Sequence, residues 1–402
     1  MDKSIVEENL EVKTKSVILC FVGYYLPGYL GGGPIRTIAN MVERLKDDCY
    51  FKIVTKDHDL GATKPYTEVE LNSWNRVGSA QVRYSTDSAS SFRSIVHLIR
   101  STPHDVIYLN SLFDRSFSVK ILCAARLGLL PRRSIVLAPR GELSAGALRL
   151  KSIRKNFYLT LGRWLGLFQR IIWHASSQFE ADDISKRLGK DASVIRIAEN
   201  IAVYSNNTRL IYQNRHSIDQ SYGGPLKICF LSRISRMKNL DFAIKVLSKA
   251  DFKIEFSIYG PREDRQYWSE CEKLICTLPD NVSVTYHGSL PHEFVHSELE
   301  KHDLFLLPTC GENFGHVILE AWSAGLPVLI SNRTPWRSLE AQELGWDLPL
   351  DRPEEFSRAL SMYANYSTTE RANLRMRCLE FARSRADLAE TVERNIELFR
   401  AN

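Results

Sequence analysis

No apolar run in this chain of 402 residues is long enough to cross a bilayer as a helix. The best stretch, Phe117 to Leu130, is broken by Lys120 and Arg126. Met1 to Lys15 is polar and rich in Glu, so it does not read as a signal peptide. The eight cysteines include no Cys-x-x-Cys pair, and Cys20, Cys123 and Cys229 sit in apolar runs. That argues against a disulfide framework and for reduced, buried thiols in a cytosolic protein. His58, His287, His292, His296, His302 and His316 do not fall at metal-ligand spacing, and no metal is expected. Acidic residues are nearly missing from 115–170, where Glu142 stands alone against twelve Lys and Arg. With a net charge of only +6, this marks a local basic surface, suited to nucleic acid, an anionic membrane or a phosphorylated acceptor. Nucleic acid is set aside, because no aromatic-interleaved basic motif or known binding module accompanies the charge.

What is present is an α/β grammar repeated twice. Apolar residues make up 44% of the chain, enough for two buried cores. Short apolar runs alternate with helical patterns, as in open parallel sheets. In the first half the expected strands are Ser16–Val22, Tyr50–Thr55, Gln81–Tyr84, Val106–Leu109, Ser134–Leu137, Ile171–Ala175 and Ser193–Ile197. In the second they are Leu226–Leu231, Phe252–Tyr259, Val282–His287, Leu304–Leu307 and Val328–Ile330. The rhythm lapses in a polar stretch, which places a first domain at 1–203, a linker at 204–224 and a second domain at 225–382. A charged helical tail covers 383–402.

Three constellations carry chemistry. The strand ending at Leu307 leads into Gly311-Glu312-Asn313-Phe314-Gly315-His316, and a helix follows that contains Glu320. The glycines allow close backbone approach, and the helix N-terminus favours an anion. Glu312 in the loop and Glu320 one turn into the helix can grip different parts of one elongated ligand. The strand Leu226–Leu231 ends at Arg233 and Lys238, a planar fork and a point charge suited to a diphosphate. Gly31-Gly32-Gly33-Pro34 opens the first helix, Pro34 being well placed in its first turn. This loop is neither a Gly-x-Gly-x-x-Gly fingerprint nor a P-loop, and Arg36 beside it could assist. Ala138-Pro139-Arg140-Gly141-Glu142 also follows a strand and should face a cleft, where Arg140 and Glu142 could pair with each other. Asp57-His58-Asp59 matches a metal motif in spacing alone and reads as a loop.

From Gly311 to Trp336, through Gly325-Leu326-Pro327-Val328 and Thr334-Pro335-Trp336, the chain resembles the retaining glycosyltransferases of family 4, which carry a Glu-x7-Glu motif. The likeness runs from about Val17 to about Leu350. It implies the GT-B fold, two Rossmann-like domains facing across a cleft, with the C-terminal tail crossing back to the first. It also implies a nucleotide-diphosphate sugar as donor substrate and no cofactor. By the resemblance Arg233 and Lys238 hold the diphosphate, Glu312 meets sugar hydroxyls and Glu320 the ribose. Gly32, Gly33, Gly260, Asn313, Phe314 and Gly315 complete the donor site, and Arg262 could approach the base or phosphate. Arg233, Lys238 and Glu312 are the expected catalytic residues.

On the acceptor side the resemblance points to Asn110 and Arg140, although many members have a His where Arg140 stands. Glu199-Asn200 resembles a hinge-proximal Asn of the family, with Ile201 in place of the usual Gly. The implied acceptor is a glycan or a polyprenyl-linked sugar in surface-polysaccharide assembly. The enzyme would then be cytoplasmic, peripheral on the inner face of the membrane through residues 115–170. A nucleotide-sugar epimerase, a phosphorylase or a non-catalytic scaffold on the same fold are the rival readings.

Overall fold

The computed structural model describes residues 15–149, 152–189, 192, 194–201, 224–386 and 389–400. The expected linker, apart from Gly224, lies outside them, as does most of the Glu-rich N-terminal stretch. Two open sheets organise the rest. The first contains β1 (Ser16–Val22), β2 (Cys49–Lys56), β3 (Trp74–Val77), β4 (Ala80–Ser85), β5 (Val106–Asn110), β6 (Ser134–Ala138), β7 (Ile171–Ala175) and β8 (Val194–Ile197). Its spatial order is β3-β4-β2-β1-β5-β6-β7-β8. The second contains β9 (Leu226–Leu231), β10 (Ile254–Tyr259), β11 (Val282–Gly288), β12 (Leu304–Leu307), β13 (Val328–Ser331) and β14 (Gly345–Leu348), in the order β11-β10-β9-β12-β13-β14. Every pairing is parallel except the β3–β4 hairpin.

Sequence explains both sheets. Central strands such as β1, β5 and β12 are almost wholly apolar because helices cover both faces of a parallel sheet. The two short strands β3 and β14, absent from the expected set, lie at sheet edges and carry polar residues, so they lack that signature. In each sheet the order reverses beside the first strand, at β1 and β9. Such a switch point leaves a crevice at the carboxyl ends of the strands, and ligands bind there in open α/β folds.

The tail does cross back. The stretch Thr368 to Arg400 forms two helices, Thr368–Ala386 and Ala389–Phe399. The first packs on the second sheet's core through Cys378 and Ala382. The second closes the first sheet's core through Ile396, Leu398 and Phe399, the last ring meeting Phe51 and Tyr108 edge-on. Asn395 Nδ2 donates to the Glu199 carbonyl, and Arg196 to that of Glu397.

Candidate functional site

Two loops from different parts of the second lobe are stitched into one wall. Asn239, in the left-handed conformation before the helix Leu240–Leu247, donates from Nδ2 to the Pro308 carbonyl at 2.9 Å. The Cys310 amide and the Thr309 hydroxyl both donate to the Met237 carbonyl. The loop after β9 and the loop after β12 are therefore held together by backbone groups. That brings Lys238 and Glu312, 74 positions apart, into an ion pair. Both side chains are largely buried, at 12% and 17% exposure. Arg233 pairs with Glu263 at 2.9 Å nearer the rim.

The Glu312 loop is fixed from behind. The Glu312 amide donates to the Arg333 carbonyl, and Trp336 Nε1 donates to the Phe314 carbonyl at 2.5 Å. Trp336 also packs edge-on against Phe314 and Trp322. Gly315 takes φ +79° as the residue before the helix His316–Ser323, and a Cβ there would press on Ile318 and Glu312. Glu320, on the same helix, accepts from His292 at 3.2 Å. Burial pushes its carboxyl up, but the hydrogen bond from His292 and the Arg36 charge outweigh it and hold Glu320 below the usual carboxylate range. Gly260 is required for close approach: at φ +132° its α-carbon faces the Ser232 carbonyl, and a Cβ would lie 1.9 Å from that oxygen.

The opposite wall belongs to the first lobe. Asp59 accepts from the Tyr29 and Leu30 amides, which anchors the glycine-rich loop, and Gly32 at φ +67° turns the chain into the helix Gly33–Arg44. Thr37 on that helix donates to the Gly33 carbonyl and lies 2.7 Å from His316 Nε2, so the Nε2–H of His316 is the donor in a bond across the cleft. Burial in this contact pushes the His316 imidazole down to about 4, so it is neutral. The lobes meet closely elsewhere too. A Cβ on Gly141 would come within 2.9 Å of Asn313 Cβ, and one on Gly146 within 2.7 Å of the Cys310 carbonyl.

Arg140 sits in the left-handed region at φ +55° and does not pair with Glu142. It donates to Asn110 Oδ1, to Asn200 Oδ1 at 2.8 Å and to the Tyr108 hydroxyl at 2.6 Å. Tyr108 in turn donates to His174 Nδ1, whose Nε2–H donates to the Ala198 carbonyl. Burial, aided by the Arg140 charge, drives His174 down to about 3. Glu142 instead accepts from Ser111 and from the Leu112 and Phe113 amides. Burial raises its pKa against those bonds and the Lys155 charge.

The cleft between these walls encloses about 500 Å³. It is lined by Gly32, Gly33, Arg140, Arg233, Lys238, Gly260, Glu312, Asn313, Phe314, Gly315 and Glu320. All the expected donor-side residues thus reach one space, with Arg36 beside them. Asn110 lies differently: it is 5% exposed, lies beneath Arg140, and its carbonyl oxygen orients that guanidinium. Arg262 also turns elsewhere, over the rings of Trp268 and Tyr286. Four residues of the site escaped the sequence reading: Thr37, Tyr108, His174 and the cross-cleft role of His316. His316 was legible in part, as the first residue after the left-handed Gly315. Tyr108 and His174 needed the β5–β6–β7 register to bring them under Arg140, and Thr37 needed the second lobe to bring His316 against it.

Two open sheets joined across a cleft, with paired charges on one wall and a glycine-rich loop on the other, define a GT-B protein. Residues 213–384, which take in most of the second lobe, match the family described as Glycosyl transferases group 1. Over 245 residues the chain is 24% identical to an uncharacterized 41.2 kDa protein in the cps region of Klebsiella pneumoniae, covering 61% of this chain and 64% of that relative. The chain therefore spans just under two thirds of that relative's length. Solved structures agree in fold. HepE of Anabaena, in complex with UDP and glucose, superposes with a TM-score of 0.64 at 16% identity over 94% of this chain and 97% of HepE. WaaG, a glycosyltransferase involved in lipopolysaccharide biosynthesis, superposes with a TM-score of 0.65 at 15% identity over 95% of this chain and 99% of WaaG.

Proposed function

We propose that the chain is a retaining, metal-independent glycosyltransferase of family 4. It moves a hexose from a nucleotide-diphosphate sugar to a glycan or lipid-linked acceptor in surface-polysaccharide assembly. One observation carries the reading: Arg233, Lys238, Glu312 and Glu320, drawn from two separate segments, line one cleft at a helix N-terminus. That is a cradle for a ligand with anionic, sugar and ribose parts. A relative from a cps region, a neighbour in complex with UDP and glucose and a neighbour involved in lipopolysaccharide biosynthesis support the same substrate class.

The chemistry follows from the charges. Breaking the bond between the sugar's anomeric carbon and the diphosphate oxygen places negative charge on the leaving group. Lys238, Arg233 and the free amides after Gly315 stabilise it in a site that closure makes dry. Pairing with Glu312 and Glu263 holds the two cations in place before the donor arrives. Glu312 then has an oxygen to accept from a sugar hydroxyl, and Glu320 lies further along for the ribose. For retention, the acceptor oxygen attacks from the face the diphosphate leaves, and its proton passes to a donor phosphate oxygen. No protein base is needed in that step, and neutral His316 holds Thr37 rather than acting as one. Residues 115–170 would keep the enzyme at the cytoplasmic face, near a lipid-linked acceptor.

Thermal-shift measurements with UDP-, GDP- and ADP-sugars identify the donor, since a ligand of the native state raises apparent stability. Incubation with that donor and extracted acceptor should then yield a product of unchanged anomeric configuration. Epimerised free sugar, or phosphorolysis without transfer, would replace this reading with one of its rivals.

A further inference from the structure

The helix Ser152–Trp164 turns only part of its surface to the core. Leu159 and Gly162 are buried, and Lys155 and Tyr158 are half-buried. Facing outward are Ile153 at 85% exposure, Phe157 at 68%, Leu161 at 39% and Trp164 at 81%. At about 100° per residue these four span an arc of roughly 80°, a continuous apolar stripe along three turns. A globular surface rarely shows such a stripe, because every apolar group left in water forgoes its burial. The stripe continues past the helix: exposed Leu165 follows, and its carbonyl accepts from Arg126 Nε. That bond fixes the turn bearing exposed Leu127 and Leu129 beside it.

Charge says what kind of partner covers the stripe. Arg154 and Arg163 on the helix are exposed, as are Arg126, bonded to Leu165, and Arg132 and Arg133, which follow Leu129 in sequence. The one acid in 115–170, Glu142, is bonded inside the lobe to Ser111, Leu112 and Phe113 and offers no balancing charge. A protein partner would have to be apolar and strongly acidic at once. A bilayer with anionic headgroups over an acyl interior is both everywhere, and an aromatic such as Trp164 favours that boundary.

We propose that this face inserts shallowly into an anionic phospholipid bilayer, with the arginines among the headgroups and the four apolar side chains beneath them. The consequence for catalysis rests on the function proposed above. Lys155, on the inner side of the same helix, lines the cleft, with its ammonium on the Ala147 carbonyl and over the Phe113 ring. A single helix then touches lipid with one face and the reaction cleft with the other. A lipid-linked acceptor would reach the donor without leaving the membrane surface.

The test uses the full chain and a variant carrying Ile153→Ser, Phe157→Ser, Leu161→Ser and Trp164→Ser, all at exposed positions. The wild type should sediment with phosphatidylglycerol/phosphatidylcholine vesicles and much less with pure phosphatidylcholine. The variant should partition at least tenfold less, while its donor-sugar thermal shift stays unchanged. Equal sedimentation of both proteins, or none of the wild type, would overturn the insertion while leaving the transferase reading intact. If instead the wild type is a dimer without lipid and the variant a monomer, the stripe is a subunit interface and the proposal fails. Lack of any donor shift in a wild type that still binds vesicles would remove the enzymatic reading and leave the bilayer surface standing.

Discussion

The two walls of the cleft solve the problem of holding charge in opposite ways. On the second lobe, formal charges face each other: Lys238 with Glu312 and Arg233 with Glu263, while Glu320 accepts from His292. On the first lobe Arg140 is surrounded by neutral acceptors, and behind it a histidine is kept neutral. Ion pairs can exchange partners when a charged ligand enters, so the second wall suits an anion that must be gripped and released. A guanidinium fixed by two Asn oxygens and a phenol has little freedom left and works as a rigid post. The contrast teaches which wall should respond to donor and which to acceptor.

The sharpest break of that contrast removes the responsive wall. Glu312→Ala and Arg233→Ala should each lower kcat/KM by about a hundredfold or more, since preorganised charge at a leaving group is worth roughly 3 kcal/mol. Lys238→Ala should do the same and also leave Glu312 without its cation. Steady-state kinetics on proteins of unchanged circular dichroism decides this, and near-normal turnover in any of the three would refute the assignment. Arg140→Ala should fall on the other axis. An expected rise of about tenfold in acceptor KM, with donor affinity within twofold, separates a rigid acceptor-side post from a phosphate contact.

That division was only half visible in the sequence. Arg233, Lys238, Glu312 and Glu320 stand next to glycines and at strand ends, where local pattern and spacing mark a ligand loop. The core strands were equally plain, because burial on both faces makes them almost wholly apolar. The first wall has no such marker. Tyr108 and His174 lie inside apolar strands and read as core, and only parallel pairing through β6 sets them side by side under Arg140. Asn110 was noticed for its place at a strand end, but its side chain turned out to serve Arg140 from below. The edge strands β3 and β14 went unseen for a related reason, being too short and too polar to show a period.

Neutral histidines, one on each lobe, make the fold sensitive to acid. The folded pKa is pushed down to about 3 for His174 and about 4 for His316, against an ordinary value near 6.5. Above that value both states of the chain hold these rings unprotonated, and the groups leave stability independent of pH. As pH falls from about 6.5 toward 4, the unfolded chain takes up protons that the folded one refuses. Stability should therefore drop by about 1.4 kcal/mol per pH unit for each ring in that window. Urea unfolding at pH 7, 6 and 5 measures the slope. His174→Gln should make it shallower by about one proton, and an unchanged slope would mean His174 charges freely in the fold.

The smallest effect belongs to the side-chain bond between Thr37 and His316 across the cleft. Thr37→Val keeps the shape of the helix Gly33–Arg44 but removes the oxygen that accepts from His316. A neutral hydrogen bond contributes about 1 kcal/mol net, so closure should weaken by roughly fivefold. Because Thr37 bonds to the Gly33 carbonyl and to His316 across the cleft, the loss should raise donor and acceptor KM together, by similar factors. A loss confined to one substrate would show that Thr37 contacts that substrate directly, and the two walls would then no longer divide the work as their charges suggest. The same measurement on His316→Gln discriminates further, since glutamine retains a donor at this position. Rescue toward wild type by His316→Gln but not by His316→Ala would tie the effect to the bond itself rather than to the volume of the ring packed against Phe314.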